Sequence, residues 1–132
     1  MAQRKATDSK RVRSHSRSDS LGALRSALRQ FAAERDWDQF HLPKNLAIAL
    51  SVEVAELLEH FQWMPDRESA ALPPGERAKV REELADVLLY LIRLADRLDI
   101  DLVSAAVDKM AVNALKYPVH KARGTSKKYT DL

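Results

Sequence analysis

Apolar residues recur along most of the chain at steps of three and four, the spacing of amphipathic helices. Leu21, Leu24, Leu28 and Phe31 mark a first helix that follows a candidate Ser20 cap and runs to about Arg35. Asp36 to Leu42 reads as an aromatic-rich connection, and Pro43 suits the first turn of a second helix. That helix carries Leu46, Leu50, Val54, Leu57, Leu58 and Phe61 and stops before Pro65, with Phe61 assigned to the core. Asp66 to Gly75, which holds Pro73, Pro74 and Gly75, predicts a loop. A third helix from about Glu76 to Leu98 lines up Val80, Leu84, Val87, Leu88, Leu91, Ile92 and Ala95. Asp101 caps a fourth, where Leu102, Ala106, Met110 and Ala114 follow at steps of four until Pro118.

The pattern predicts an all-α chain of the four-helix-bundle type, in a helical domain over residues 20–118. The apolar faces are wide for so short a chain, and we expect part of them to be buried in a homo-oligomer. Residues 119–132 read as an extended basic tail. Residues 1–19 are rich in Ser, Arg and Lys with almost no large apolar side chain, and read as a disordered leader.

Charge sharpens this division. Residues 1–19 set six Lys/Arg against Asp8 and Asp19, and residues 116–132 set five against Asp131. Each end therefore carries +4 within a total of +3, which leaves −5 on the body between them. A nucleic-acid reading from overall basicity fails on that acidic body. The 132 residues include no Cys, which excludes disulfides, thiolate metal sites and cysteine nucleophiles. No apolar run approaches the roughly 18 residues of a membrane span. A cytoplasmic protein without a membrane partner is the expectation.

Four acids stand out. Glu53 and Glu56 on the second helix, and Glu83 and Asp86 on the third, are pairs at i, i+3, each pair on one side of its helix. A solvated face would usually place Lys or Arg four residues after each acid; Leu57, His60, Val87 and Tyr90 stand there instead. Lys79 could reach Glu83, in the less favourable order. Four carboxylates beside an apolar seam repel one another and lose solvation. Either some stay protonated or a divalent cation neutralises them, and oxygen-only donors suit Mg²⁺ or Mn²⁺. Mg²⁺ commonly completes its shell with water and substrate phosphates, which points to phosphate chemistry. The spacing leaves both a solvated face and a metal site open.

Trp37, Phe40 and His41 precede the acidic helix, and Phe61 and Trp63 close it. The two Trp could wall a flat pocket that stacks a nucleobase, or could simply be core. Lys109, Asn113 and Lys116 share one face of the fourth helix beside Tyr117. They suit either a wet face or contacts to phosphate, sugar or base edge. Arg123, Lys127 and Lys128 could close over a polyphosphate.

Glu53-Val54-Ala55-Glu56 followed by Glu83-Leu84-Ala85-Asp86 resembles the E-x-x-E … E-x-x-D metal signature of the MazG-like all-α nucleoside triphosphate pyrophosphohydrolases. FAAERDW (31–37), QFHLPKNLAIAL (39–50), ELLEHFQW (56–63), EELADVLLYLIRLADRLDID (82–101) and KYPVHKARGTSKKYTDL (116–132) look like the dCTP pyrophosphatase branch. The likeness covers about residues 21–132. Val52 and Ala55 stand where close relatives often have Gly, and Leu28 where some animal members carry a base-facing His.

The resemblance implies Mg²⁺-dependent cleavage of a deoxynucleoside triphosphate, dCTP or a modified form of it, to the monophosphate and pyrophosphate. It makes Glu53, Glu56, Glu83 and Asp86 the metal ligands. It sets Trp37, His41, Trp63 and Tyr90 on the base side, and Lys109, Asn113 and Tyr117 on phosphates and sugar. It also implies a homodimer or homotetramer. The same reaction on dUTP or a broader set of nucleotides, and a helical interaction module without catalysis, are the alternatives.

Overall fold

The computed structural model describes residues 20–132, and the basic leader expected over 1–19 lies outside the described residues. The chain is all-α. It divides into two compact units, one reaching to Leu98 and the other spanning Asp99–Leu132.

In the first unit α1 covers Ser20–Glu34, α2 Pro43–Glu59, the short α3 Asp66–Ser69, and α4 Pro74–Arg97. Ser20 is the first helical residue of α1 rather than a cap outside it. Asp36, at φ 53°, ends the helix in the left-handed region. The Trp37 N–H reaches the Ala32 carbonyl at 2.9 Å and the Asp36 N–H reaches Ala33 at 3.1 Å, a Schellman closure. This reversal fixes where Trp37 leaves the helix. The N–H groups of Phe40 and His41 then bond the Trp37 carbonyl at 2.9 and 3.0 Å, so the connection is a tight turn.

Pro43 opens α2 without a side-chain cap, because the ring presets the helical φ and has no N–H to leave unpaired. The predicted loop at 66–75 contains α3, and α4 begins at Pro74 instead of Glu76. The same property of proline explains the earlier start, and Gly75 follows it with open space around its Cα.

α4 packs against both α2 and α1, more extensively against α2. The buried apolar residues are few: Ala32, Leu46, Val80, Ile92 and Ala95. Phe31 and Leu24, expected on the packed stripe of α1, stay 45% and 37% exposed, and Phe61 is only half-buried. Removing Leu46, the one large side chain fully enclosed among the described residues, would open a cavity costing about 2–5 kcal/mol.

In the second unit α5 spans Leu102–Lys116 and α6 spans Val119–Ala122, followed by a 3-10 turn at Tyr129–Asp131. Asp101 caps α5 as the sequence predicts, its Oδ1 accepting from the Ser104 N–H at 2.9 Å. The tail is not extended throughout. Pro118 starts α6, whose Lys121 and Ala122 N–H groups bond the Pro118 carbonyl, and Gly124 at φ 72° turns the chain after it. Tyr129 then meets Tyr117 edge-to-face at 5.9 Å, with the Lys116 Nζ 4.9 Å from the Tyr129 ring centre.

Candidate active site

The contact of α2 with α4 brings the two acidic pairs to one seam. Glu53, Glu56 and Glu83 each offer a carboxylate oxygen, and the three oxygens lie within 4.8 Å of one another. Glu53 and Glu83 are half-buried and Glu56 is exposed. Burial, then the charges of Glu56, Asp86 and Glu83, push the Glu53 carboxyl above its ordinary range. Asp86 stands outside the trio of converging oxygens yet adds its charge to Glu53.

Among the described residues, few basic side chains reach the acids. Lys79 turns to Glu76 at 3.1 Å, not to Glu83, and its hydrogen bond and charge hold Glu76 below the ordinary carboxylate range. His60 bridges the helices, with Nε2 3.5 Å from Glu83 and Nδ1 3.6 Å from Glu76. Three clustered oxygens, one of them on an acid already reluctant to ionise, match the hard-donor set of a divalent cation. The residues fit the metal that the resemblance implies.

Beside the acids, within the same unit, lies a cavity of about 230 Å³. Leu28, Phe31, Trp37, His41 and Tyr90 line it, and Asp86 joins it to the acidic seam. The volume is below the roughly 300–1,000 Å³ of a complete ligand site, and suits one planar ring better than a whole nucleotide. Phe31 meets Trp37 edge-on at 5.8 Å, while Trp37 and His41 are tilted at 6.1 Å. Flat apolar surfaces that close hold a base by stacking.

The structure thus brings Trp37, His41, Tyr90 and Asp86 together. Trp63 is 88% exposed and does not line this cavity, so the two Trp do not face each other as its walls. It follows the end of α2, beyond the packed turns, and no described residue of the unit covers it. Lys109, Asn113 and Tyr117 belong to the second unit, the first two exposed and Tyr117 paired with Tyr129.

One residue that sequence reasoning missed is Arg93. It is 5% exposed and lines the cavity. Its Nη2 donates to Asp38 at 2.6 Å, Nη1 to Asp96 at 3.4 Å, and Nε to Nδ1 of His41 at 3.0 Å. Arg29 donates to Asp96 at 2.8 Å, and this bond keeps the Asp96 carboxyl below its ordinary range. Asp86, Tyr90 and Arg93 fall at i, i+4 and i+7, a signal that would have put Arg93 on the cavity face.

The sequence model of the MazG-like family matches residues 48–132. Mouse dCTP pyrophosphatase 1 is 54% identical over 114 residues, 85% of this chain and 67% of that protein. The human dCTP pyrophosphatase 1 is 51% identical over 114 residues with the same shares. The crystal structure of a pyrophosphatase from Archaeoglobus fulgidus superposes with a TM-score of 0.67 at 45% identity, covering 70% of this chain and 87% of that one. With its helices, its paired acids and these likenesses, the chain belongs to the MazG-like family.

Proposed function

We propose that this chain is a housecleaning nucleoside triphosphate pyrophosphohydrolase that converts dCTP, or a modified dCTP, to the monophosphate and pyrophosphate. The observation that carries this is the convergence of Glu53, Glu56 and Glu83 beside an aromatic cavity that shares Asp86. The names of the mouse and human relatives support the substrate. Glu53, Glu56, Glu83 and Asp86 would hold the cation, Mg²⁺ with Mn²⁺ as a substitute. When bound, it supplies positive charge for the oxygens of the triphosphate.

The remaining work belongs to the chain. Trp37 and Tyr90 hold the base by stacking, and His41 meets its edge. Trp63 is a further base-side contact, and Lys109, Asn113 and Tyr117 take phosphates and sugar, as the resemblance implies. Water attacks phosphorus at the α–β bridge, and the bridging oxygen leaves with the other phosphate group. A carboxylate oxygen not engaged with the cation accepts the proton of that water. Val103, Val107 and Met110, at i, i+4 and i+7 on α5, are 47%, 61% and 72% exposed, which supports a homo-oligomer that covers them.

A panel of nucleotides assayed with Mg²⁺ and identified products tests the reading. dCTP should yield dCMP and pyrophosphate, with slower turnover of dUTP and dTTP. Release of orthophosphate alone, or no turnover, contradicts it.

A further inference from the structure

The guanidinium of Arg93 has five N–H donors, no acceptor, and a charge that it does not lose. Its Nε donates to Nδ1 of His41. A nitrogen that accepts carries no proton, so the neutral ring must bear its hydrogen on Nε2. Burial first, and the Arg93 charge second, keep His41 less basic than an ordinary histidine, which favours that neutral ring. Arg93 cannot swing away cheaply, because its side chain is 6% exposed and its two other nitrogens are bonded to Asp38 and Asp96. Asp96 is anchored in turn by Arg29. Nε2 of His41 has no partner among the described residues, and His41 lines the cavity.

We propose that Arg93 is a positioning residue that locks His41 as a donor at Nε2, and that this lock selects the base. The proposal rests on the hydrolysis of dCTP proposed above and adds to it a source of base choice. A free imidazole exchanges its proton between the two nitrogens and can meet either a donor or an acceptor. The locked ring can only donate. Cytosine offers a lone pair at N3, whereas uracil and thymine carry N–H there. Against those two, donor would face donor between the apolar ring faces that line the cavity, and neither gains a partner there.

Long-range ¹H–¹⁵N spectra of the full chain labelled at histidine read the lock directly. Wild type should show His41 with an unprotonated Nδ1 and a protonated Nε2. In Arg93→Leu the two nitrogens should move toward averaged shifts. The ratio of kcat/KM for dCTP over dUTP should fall about tenfold in that variant, the value of one hydrogen bond, through a higher KM for dCTP more than through kcat. Arg93→Lys, which keeps the charge but lacks the planar fork, should also lose part of the discrimination. Wild-type His41 protonated at Nδ1 or averaging between tautomers overturns the proposal without needing any variant. An unchanged ratio in folded Arg93→Leu or Arg93→Lys with averaged His41 nitrogens overturns it as well. Failure of wild type to release pyrophosphate from any nucleotide strikes the proposed reaction instead, and leaves the tautomer reading intact.

Discussion

Two clusters of charge sit on α4, about two to three turns apart, and they are built on opposite plans. Toward its N-terminal half, Glu83 meets Glu53 and Glu56 with the His60 ring beside it, so like charges crowd together. Toward the C-terminal end, Arg93 and Arg29 face Asp38 and Asp96, and each charge has an opposite within hydrogen-bond distance. The balanced cluster closes on itself and organises structure. On the function proposed above, the unbalanced one takes a cation from outside. On that proposal, uncompensated charge marks the ligand site, and compensated charge marks its support.

Breaking the unbalanced cluster should have the largest effect on activity. Glu53→Ala or Glu83→Ala should lower kcat/KM by about 10²–10³-fold, as loss of one charge-stabilising group does elsewhere. Helical circular dichroism should stay near wild type. Breaking the balanced cluster should act on stability. Asp96→Ala removes a carboxylate bonded to both Arg29 and the buried Arg93, and should cost about 3 kcal/mol by urea denaturation. Glu53→Gln should move the other way: measured in EDTA, its Tm should rise, because one of the repelling carboxylates is gone.

Added Mg²⁺ separates the clusters again. At one hundred times its dissociation constant it should stabilise wild type by about 2.7 kcal/mol, and Glu53→Gln by much less. Asp96→Ala should respond as wild type does.

The smallest effect is in pH dependence, where the two acids have opposite signs. The folded pKa of Asp96 is lowered, so its contribution is present above the ordinary carboxylate value and is lost as pH falls below it. The folded pKa of Glu53 is raised, so the metal-free fold gains stability as pH falls toward that value and loses it as pH rises. Urea titrations in EDTA across this range should lose the first trend in Asp96→Asn and the second in Glu53→Gln.

The unbalanced cluster was legible in the sequence for a physical reason. Its signal is local: acids at i, i+3 with no cation one turn on, which any helix wheel exposes. The four long helices, the Pro43 start and the Asp101 cap were legible on the same footing, since each depends on residues a few positions apart. The balanced cluster was not, because Arg93 meets partners 52 and 55 residues away and its role exists only once α4 folds past the turn at Trp37–His41. His60 was passed over for the same reason: it reaches across to α4 rather than along its own helix. The short α6 and the exposure of Trp63 escaped because neither a four-residue helix nor a solvent-facing aromatic leaves a periodic pattern.

Titration of the metal-free protein with Mn²⁺, followed by electron paramagnetic resonance, tests the central claim most directly. Wild type should bind the ion at the acidic seam, and Glu53→Ala and Glu83→Ala should each lose that binding while remaining folded. Equal binding by wild type and both variants, or none by wild type, would contradict the account.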